Sequence, residues 1–486
     1  MLVLATILLP IIFGLILPLL KLNKSIRNIY VIIVSLITSF LSLYIAFKYD
    51  FTTFTLLNLT KVLSIGFKID GLSKIFLLIL SCLWPIAIIY STEYMNHEEN
   101  QDDFFKYYLI AFGIALGLSF SKNLITMYLF YELLTFLTLP LIMHNFYDKR
   151  ALYAGKIYLI VSVLGASLAL IGIIIYIFIV PNIEFVYGGN IEDVVLRNNE
   201  FLINIAYILC FIGFGVKAAV LPFTYWLPTC SVAPTPVSAL LHAVAVVKAG
   251  VFAIMRTTYY IFGTSVLIGG FAQKVTMIIT ILTILYGSIM ALKEKNIKRR
   301  LAYSTASNLA YILFVTLLFT PNGFSAGLSH MIFHALMKIN LFFIAGAFII
   351  YGNIENVDEV KGISKKMPIE MFSFIIASLS MIGIPLTCGF ISKYKLITAC
   401  IYSNSLLAIV GMFSIIISAI LTLIYLFSIV VNAYISKPDD INILNNVSSS
   451  GNKMKFTFIL LTIFIIYFGI NSNSLISFID NISFAG

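Results

Sequence analysis

Long apolar runs alternate with short polar segments along almost the whole sequence, and the runs are about 20 residues long, enough for a helix to cross a bilayer. In hydrocarbon every backbone polar group needs an internal partner, so only helices or a closed barrel can cross it. The runs are continuous rather than alternating residue by residue, which excludes the barrel. The pattern therefore predicts an all-α integral membrane protein with about 14 transmembrane helices. We place them near residues 2–20, 28–47, 72–91, 104–121, 123–144, 153–180, 201–221, 236–262, 274–292, 301–320, 324–351, 370–397, 405–436 and 456–480.

Two of these spans carry a lysine beside a proline that interrupts the helix. Pro222 follows Lys217 in span 7, and Pro385 precedes Lys393 in span 12. A proline removes a backbone donor and frees carbonyls near the lysine, an arrangement that transporters use to hold an ion. The broken spans lie five spans apart, and an odd spacing inverts the second copy. We therefore predict two inverted five-helix repeats, spans 4–8 and 9–13, with broken helices 7 and 12.

We interpret the chain as a single polytopic membrane domain over residues 1–486. Its parts are three N-terminal spans in 1–103, a first repeat in 104–262, a second repeat in 274–436 and a last span in 456–480. Residues 50–70 alternate between polar and apolar, which favours a small hairpin at the membrane surface. Residues 181–200 are polar and rich in Gly and Asn, which predicts a solvent-facing loop.

The composition narrows this picture. The sequence is 60% hydrophobic and only 11% charged, which leaves too little polar surface for a soluble globule. The net charge of +10 comes mostly from Lys and Arg in short loops, the positive-inside signal of membrane proteins rather than a nucleic-acid surface. The basic loops follow odd-numbered spans, so we expect them in the cytoplasm and both termini on the outer face of the inner (cytoplasmic) membrane. The five cysteines are scattered, without CxxC spacing, and we expect no metal site and no cofactor.

A charge within a span costs several kcal/mol, so each one needs a reason. Eight ionisable side chains form the candidate site: Glu132, Lys217, His242, Lys248, His330, His334, Lys338 and Lys393. His330, His334 and Lys338 stand at i, i+4 and i+8 on one helix face, about 6 Å apart from one to the next. A row of histidine and lysine without matching acids is a poor structural salt bridge but suits a proton wire.

Plainer interpretations stand beside the functional one. His242 alone is equally well explained by a structural hydrogen bond between helices. Lys393 lies near the end of its span, where a lysine can extend to the interface. Lys156 and Arg256 lie near span ends too, and for them extension to the interface or a topogenic role is the better interpretation. Glu132 and Lys217 can also be a buried pair with a structural role alone.

The motifs that carry these residues resemble a known family. The run "GFGVKAAVLPFTYWLPTCSVAPTPVSALLHAVAVVKAG" is similar to the signature of the antiporter-like membrane subunits. These subunits are shared by respiratory complex I, Mrp-type cation/proton antiporters and membrane-bound energy-converting hydrogenases. "GFKIDGLSKIF", "SHMIFHALMKINLFFIAG" and "GIPLTCGFISKY" resemble further landmarks of that family in the same order, so the resemblance covers nearly the whole chain.

The resemblance implies a role for most of the candidate residues. It implies fourteen helices with two inverted repeats, and it makes Glu132 and Lys217 a switching pair in the fifth and seventh helices. Lys248 would be the connecting lysine of the eighth helix, and Lys393 the terminal site of the twelfth. The His330, His334 and Lys338 cluster would occupy the eleventh helix between them.

We therefore expect a proton-translocating subunit of a multi-subunit membrane complex, driven by electron transfer or ion exchange in partner subunits. The sequence has no Fe–S cysteine pattern and no nucleotide fingerprint, so any redox chemistry would belong to those partners. The alternatives are an Mrp-type Na⁺/H⁺ antiporter subunit and a solitary secondary transporter. A structural scaffold is disfavoured because a scaffold has no use for charges in five spans.

Overall fold

The computed structural model describes residues 2–49, 52–58, 60, 63–436 and 447–483. Helices dominate, and a single short hairpin interrupts them within this described part. The helices are α1 Leu2–Ile16, α2 Lys24–Lys48, α3 Gly71–Tyr94, α4 Gln101–Ser119, α5 Leu124–Ile142, α6 Lys149–Ile179, α7 Asp193–Gly215, α8 Trp226–Thr229, α9 Thr235–Ala239, α10 Val246–Thr257, α11 Thr264–Leu267, α12 Phe271–Lys293, α13 Ile297–Thr316, α14 Pro321–Gly352, α15 Pro368–Ile382, α16 Cys388–Tyr402, α17 Leu406–Tyr434, α18 Asn452–Ile470 and α19 Asn473–Ser483.

Eleven helical segments among the described residues are long and apolar enough to cross a membrane, which makes the chain a multi-pass membrane protein. Their burial separates a centre from a rim. The apolar windows of the segments Thr235–Phe262 and Pro321–Gly352 are 100% and 94% buried, whereas those of Leu2–Leu20 and Leu406–Tyr434 are 28% and 33% buried. These two central segments carry five of the eight candidate residues, His242, Lys248, His330, His334 and Lys338.

The hairpin expected in residues 50–70 is present. Strands β1, Thr53–Asn58, and β2, Ser64–Lys68, pair antiparallel, with an irregular register between Thr55 and Leu57. Residues 50, 51, 59, 61 and 62 lie outside the described residues. Backbone hydrogen bonds join β2 to the chain between α4 and α5, so the hairpin is fixed to the bundle. The fold is therefore nearly all-α rather than strictly all-α.

The helix breaks beside the two lysines lie where the prolines predict them. α7 ends at Gly215, and the chain turns before α8 begins at Trp226. α15 ends at Ile382, and α16 begins only at Cys388. The sequence pattern missed a third break, the π-helical stretch Leu240–Val244 between α9 and α10.

Two other expectations need correction. The last eight residues of the expected polar loop 181–200 belong to α7, which already begins at Asp193. The remainder is not all solvent-facing: Ile183 and Phe185 are 2% and 1% exposed, because these two apolar side chains pack into the bundle. The expected last span 456–480 is two helices, α18 and α19, separated at the polar residues 471 and 472.

Candidate functional site

Lys217 lies in the turn that follows α7, with no exposed surface. Its Nζ donates to the backbone carbonyl of Tyr131 on α5 and lies 3.4 Å from the centroid of the Tyr131 ring. The indole Nε1 of Trp226 donates to the freed carbonyl of Val216 at 2.7 Å. The break therefore places Lys217 in the core, but the neighbouring helix supplies the carbonyl and the ring that hold its charge.

Glu132, the expected partner of Lys217, is half-buried and follows Tyr131 directly. Its Oε1 is buried without a hydrogen-bond partner in the described part of the chain. No ion pair within 4.0 Å joins Glu132 to Lys217 among the described residues. The two residues are neighbours whose side chains are not closed into a salt bridge.

A glycine lets the Lys217 turn pack directly on α10. A Cβ added at Gly250 would lie 2.6 Å from the backbone nitrogen of Ala218 and 3.1 Å from the carbonyl carbon of Lys217. The close contact at Gly250 therefore fixes the backbone of the Lys217 turn against the helix that carries Lys248. Any larger side chain at Gly250 would push the Lys217 turn away from α10.

Lys248 links the two halves of the bundle. Its Nζ lies 2.7 Å from Nδ1 of His334 on α14, and both side chains are completely buried. When Lys248 is charged it donates this hydrogen bond, so His334 carries its proton on Nε2. One turn away, the His330 ring centroid is 5.9 Å from that of His334.

His330 in turn leads to the second helix break. Its Nδ1 lies 2.9 Å from Oγ of Ser392, the residue before Lys393. Lys393 donates to the carbonyls of Met381 and Ile382 at 2.7 and 3.2 Å. These are the carbonyls freed at the end of α15, and Lys393 is only 5% exposed, which argues against a role as an interfacial anchor.

Two predicted residues stand apart from this chain of contacts. Lys338 turns towards α13 and donates to the Leu301 carbonyl at 2.9 Å and to Ser304 Oγ at 2.8 Å. His242 stacks on the Phe342 ring at 4.7 Å, and within the described residues neither of its buried ring nitrogens has a hydrogen-bond partner. The structural hydrogen bond considered for His242 is thus not formed by any described group.

The expectation that Arg256 extends to the membrane interface is wrong. Arg256 is completely buried and forms an ion pair with Asp70, which is also completely buried, at 2.5 Å. The sequence marks Asp70 as a helix N-cap, since it directly precedes α3. No local pattern identifies Arg256 as its ion-pair partner. Lys156, interpreted in the same way, is exposed as expected.

The sequence also does not identify the neutral groups that form hydrogen bonds with Lys217, His330 and Lys338. They are the Tyr131 carbonyl, Asn308, Ser304 and Ser392. Hydroxyl, amide and carbonyl groups occur throughout such a chain, so no local pattern distinguishes these members. Within the described residues no group of three or more His, Cys, Asp or Glu side chains could hold a metal ion.

A cavity of about 490 Å³ opens where α13 begins. Charged side chains of both signs line it, including Glu98, Glu355 and Lys298, and burial raises the pKa of the Glu98 carboxyl. Lys298 donates to the carbonyl of Ala233 at 2.6 Å, just before α9. The cavity therefore offers polar surface at the start of the segment that carries His242 and Lys248.

Two family models match the chain. The model described as "NADH:quinone oxidoreductase/Mrp antiporter, TM" matches residues 121–422, and the one described as "NADH-Ubiquinone oxidoreductase (complex I), chain 5 N-terminus" matches residues 57–105. The first range includes all eight residues of the candidate site, and the second includes strand β2 and Asp70.

Curated relatives include Na(+)/H(+) antiporter subunit A1 of Staphylococcus haemolyticus (strain JCSC1435), 32% identical over 81% of this chain and 51% of the relative. The subunit A1 of Staphylococcus aureus (strain bovine RF122 / ET3-1) is 36% identical over 67% of this chain and 41% of the relative. The chain thus spans about half the length of the curated relatives it matches.

Two solved structures share the fold along almost the full length of the chain. One is the membrane-bound sulfane sulfur reductase, an archaeal respiratory membrane complex, with a TM-score of 0.85 at 20% identity, covering 99% of this chain and 97% of that chain. The other is the Mrp complex from Dietzia sp. DQ12-45-1b, with a TM-score of 0.85 at 18% identity and the same coverage. Since one family model covers well over half of the sequence, the chain belongs to the NADH:quinone oxidoreductase/Mrp antiporter family of membrane subunits.

Proposed function

We propose that the chain is a proton-translocating subunit of a multi-subunit membrane complex and carries protons along its buried lysines and histidines. The observation that carries this proposal is the 2.7 Å contact between Lys248 and His334. It joins two titratable side chains from different helices, both fully buried. Burying a charge within the membrane costs free energy, so buried titratable groups there usually have a function.

The proposed path begins at Glu132 and Lys217. When Glu132 moves close, Lys217 keeps its proton, because an opposite charge stabilises a buried ammonium. When the pair opens, the uncompensated cation passes its proton towards Lys248. From there the path runs through His334 and His330 to Lys393, while His242 and Lys338 flank it.

The architecture supports this path in its finer details. We propose fourteen spans: the eleven apolar segments, the helices α4 and α13, and the broken pair α15 and α16. In this arrangement spans 4–8 and 9–13 are inverted repeats, each with one break beside a lysine. The basic loops face the cytoplasm, the membrane is the inner membrane, and both termini face outwards.

The proposed driving reaction is Na⁺/H⁺ exchange in an Mrp-type complex. The identity of 32–36% with Na(+)/H(+) antiporter subunit A1 favours it. Electron transfer in partner subunits is the second candidate, favoured by the family model named for complex I and by the fold shared with a respiratory reductase. Neither observation favours a solitary transporter.

The test is transport by the purified complex in vesicles. A Na⁺ gradient is expected to move protons in the wild type, whereas Lys248→Met is expected to assemble and to move none. Lys156→Gln is the matched control, because Lys156 is an exposed cation on α6. Normal exchange by Lys248→Met would refute the path, and loss in both variants would show unspecific damage.

Cysteine labelling in intact cells tests the orientation. Lys295 and Asn182 are both exposed, and the two proposed faces place them on opposite sides of the membrane. We expect an impermeant reagent to label Asn182→Cys and to spare Lys295→Cys until the cells are opened. The reverse pattern would invert the topology.

A further inference from the structure

The C-terminal end of α10 contains an ion pair that the proposed path does not use. Arg256 Nη1 lies 2.5 Å from Asp70 Oδ2, and Arg256 Nη2 donates to Ser73 Oγ at 2.8 Å. Ser73 donates to Asp70 Oδ1 from both its backbone nitrogen and its hydroxyl, each at 3.0 Å. All three residues have no exposed surface.

Aromatic rings surround the guanidinium. Its central carbon lies 4.8 Å from the ring centroid of Phe185, 5.3 Å from that of Phe252 and 4.9 Å from that of Tyr260. Phe252 also stacks on Phe76 of α3 at 4.9 Å. The ion pair therefore lies in a tightly packed aromatic layer.

This layer stands directly beyond Lys248 on the same helix. Arg256 follows Lys248 by eight residues, which is about 12 Å along a helix, and Phe252 lies halfway. A proton that left Lys248 towards the C-terminal end of α10, instead of crossing to His334, would move towards the guanidinium.

A segment that we call the strap, residues 183–190, covers the layer. Backbone nitrogens of the strap donate to the π-helical turn Thr258–Phe262, from Val186, Gly188 and Asn190 at 3.1, 2.9 and 3.1 Å. The charged groups around the strap are held as well. Lys68 donates to the Phe185 carbonyl at 3.0 Å, and Lys122 pairs with Glu184 at 2.6 Å.

We propose that Asp70 and Arg256 form a proton seal, which keeps a proton on Lys248 from leaving along α10 and so directs it to His334. This inference rests on the proposed function, since it presumes that Lys248 carries transported protons. The chemistry follows from the guanidinium: it does not deprotonate in proteins, so it cannot relay a proton, and its fixed positive charge repels one. Asp70 holds that charge in place.

The single-residue variants of the pair differ in their expected effect, which separates a seal from a structural pin. Arg256→Gln removes the fixed charge and leaves a buried carboxylate that can bind a proton. Asp70→Asn keeps the fixed charge and leaves no proton acceptor. We expect several-fold faster passive proton leak for Arg256→Gln and wild-type leak for Asp70→Asn.

The experiment uses the whole complex in vesicles, with assembly checked on a native gel. A pH step is applied without a Na⁺ gradient, and the decay of an internal pH dye gives the leak. Equal leak in both variants would make the pair a structural pin, and wild-type leak in an assembled Arg256→Gln complex would also overturn the seal. Arg256→Lys keeps the ion pair but can release a proton, so we expect an intermediate leak. If Arg256→Gln does not assemble, wild-type leak in Arg256→Lys overturns the proposal.

A second background separates this proposal from the proposed function. Lys248→Met is expected to suppress the leak of Arg256→Gln, because the leaking proton comes through Lys248. Persistence of the leak in the double variant would refute a seal that guards Lys248. Failure of the proposed function would instead appear as Na⁺-driven exchange by the single variant Lys248→Met.

Discussion

Two acid–base pairs among the described residues differ in geometry, and the difference bears on proton transfer. Asp70 and Arg256 are closed at 2.5 Å and bridged by Ser73. Glu132 and Lys217 are not closed: the lysine rests on Tyr131, and Glu132 Oε1 has no hydrogen-bond partner among the described residues. The first pair is closed in the structure, whereas the carboxylate and the ammonium of the second pair are held apart in different surroundings.

The choice of cation explains the difference. Arginine is charged at any physiological pH and grips a carboxylate with a planar fork, so it suits a fixed pair. Lysine can lose its proton when it is buried, so it suits a pair that must open and close. A buried charge is therefore not in itself a sign of transport. Whether such a residue can take part in proton transfer depends on its partner and on its ability to release a proton.

Among the partial losses of transport, the largest is expected at Lys393, the second lysine beside a helix break. Lys393→Met should assemble but lose transport by on the order of 100-fold, the size of a lost proton-transfer step. Lys393→Glu should retain part of it, because that site needs a titratable group rather than a particular sign. Transport is measured in vesicles, and a native gel checks that the complex assembles. Normal pumping by the Met variant would show that Lys393 is not part of the path.

A smaller loss is expected when the opening pair is fixed in one state. Glu132→Gln removes the counter-charge of Lys217 and should slow transport about tenfold, because no opposite charge then stabilises the buried ammonium. Glu132→Asp keeps the negative charge on a shorter side chain, so its transport rate should lie between those of Glu132→Gln and the wild type. If Gln and wild type transport equally, Glu132 and Lys217 are no more than neighbours.

A still smaller effect is expected at the link between the halves. His334→Gln keeps a side chain that can accept a hydrogen bond from Lys248 but cannot carry a proton. Transport should fall a few-fold with unchanged assembly, because water can take the place of the His334 ring and bridge Lys248 to His330. The matched variant is His242→Gln, which stands outside the chain of contacts and should transport as the wild type does. A larger loss at His242 would redraw the path.

The smallest effect concerns stability alone. Ser73→Ala removes the hydroxyl that bridges Asp70 and Arg256 and should cost about 1–3 kcal/mol of unfolding free energy, as for other buried hydrogen-bond partners. The melting temperature of the solubilised complex measures it, with the exposed Ser167→Ala on α6 as control. Lost transport with unchanged stability would place Ser73 in the path.

The sequence predicts this molecule well wherever the signal is local. Apolar runs predict the membrane helices, and Pro222 and Pro385 predict breaks beside Lys217 and Lys393, because a proline acts on its own helix. The interpretation of Arg256 is wrong because its partner Asp70 lies 186 residues away in the sequence. A cation near the end of an apolar run gives the same local pattern whether it forms a buried ion pair or extends to the membrane interface.

The partner of each side chain is the other limit. Helical spacing puts Lys338 on the same face as His330, and both reach α13, at Ser304 and Asn308, but the spacing does not show which polar groups they meet there. The π-helical stretch around His242 likewise has no mark in the residue pattern. Both depend on which neighbouring helix offers a polar group, and that is set by packing between distant parts of the chain.

The most direct test of the account is the variant Lys217→Arg, measured as Na⁺-driven proton movement by the complex in vesicles. It keeps a buried cation beside Glu132 but takes away the proton that a lysine can release. The account predicts an assembled complex without driven transport and with wild-type passive leak. Transport at the wild-type rate would contradict it, because the proton on Lys217 would then have no part in the path.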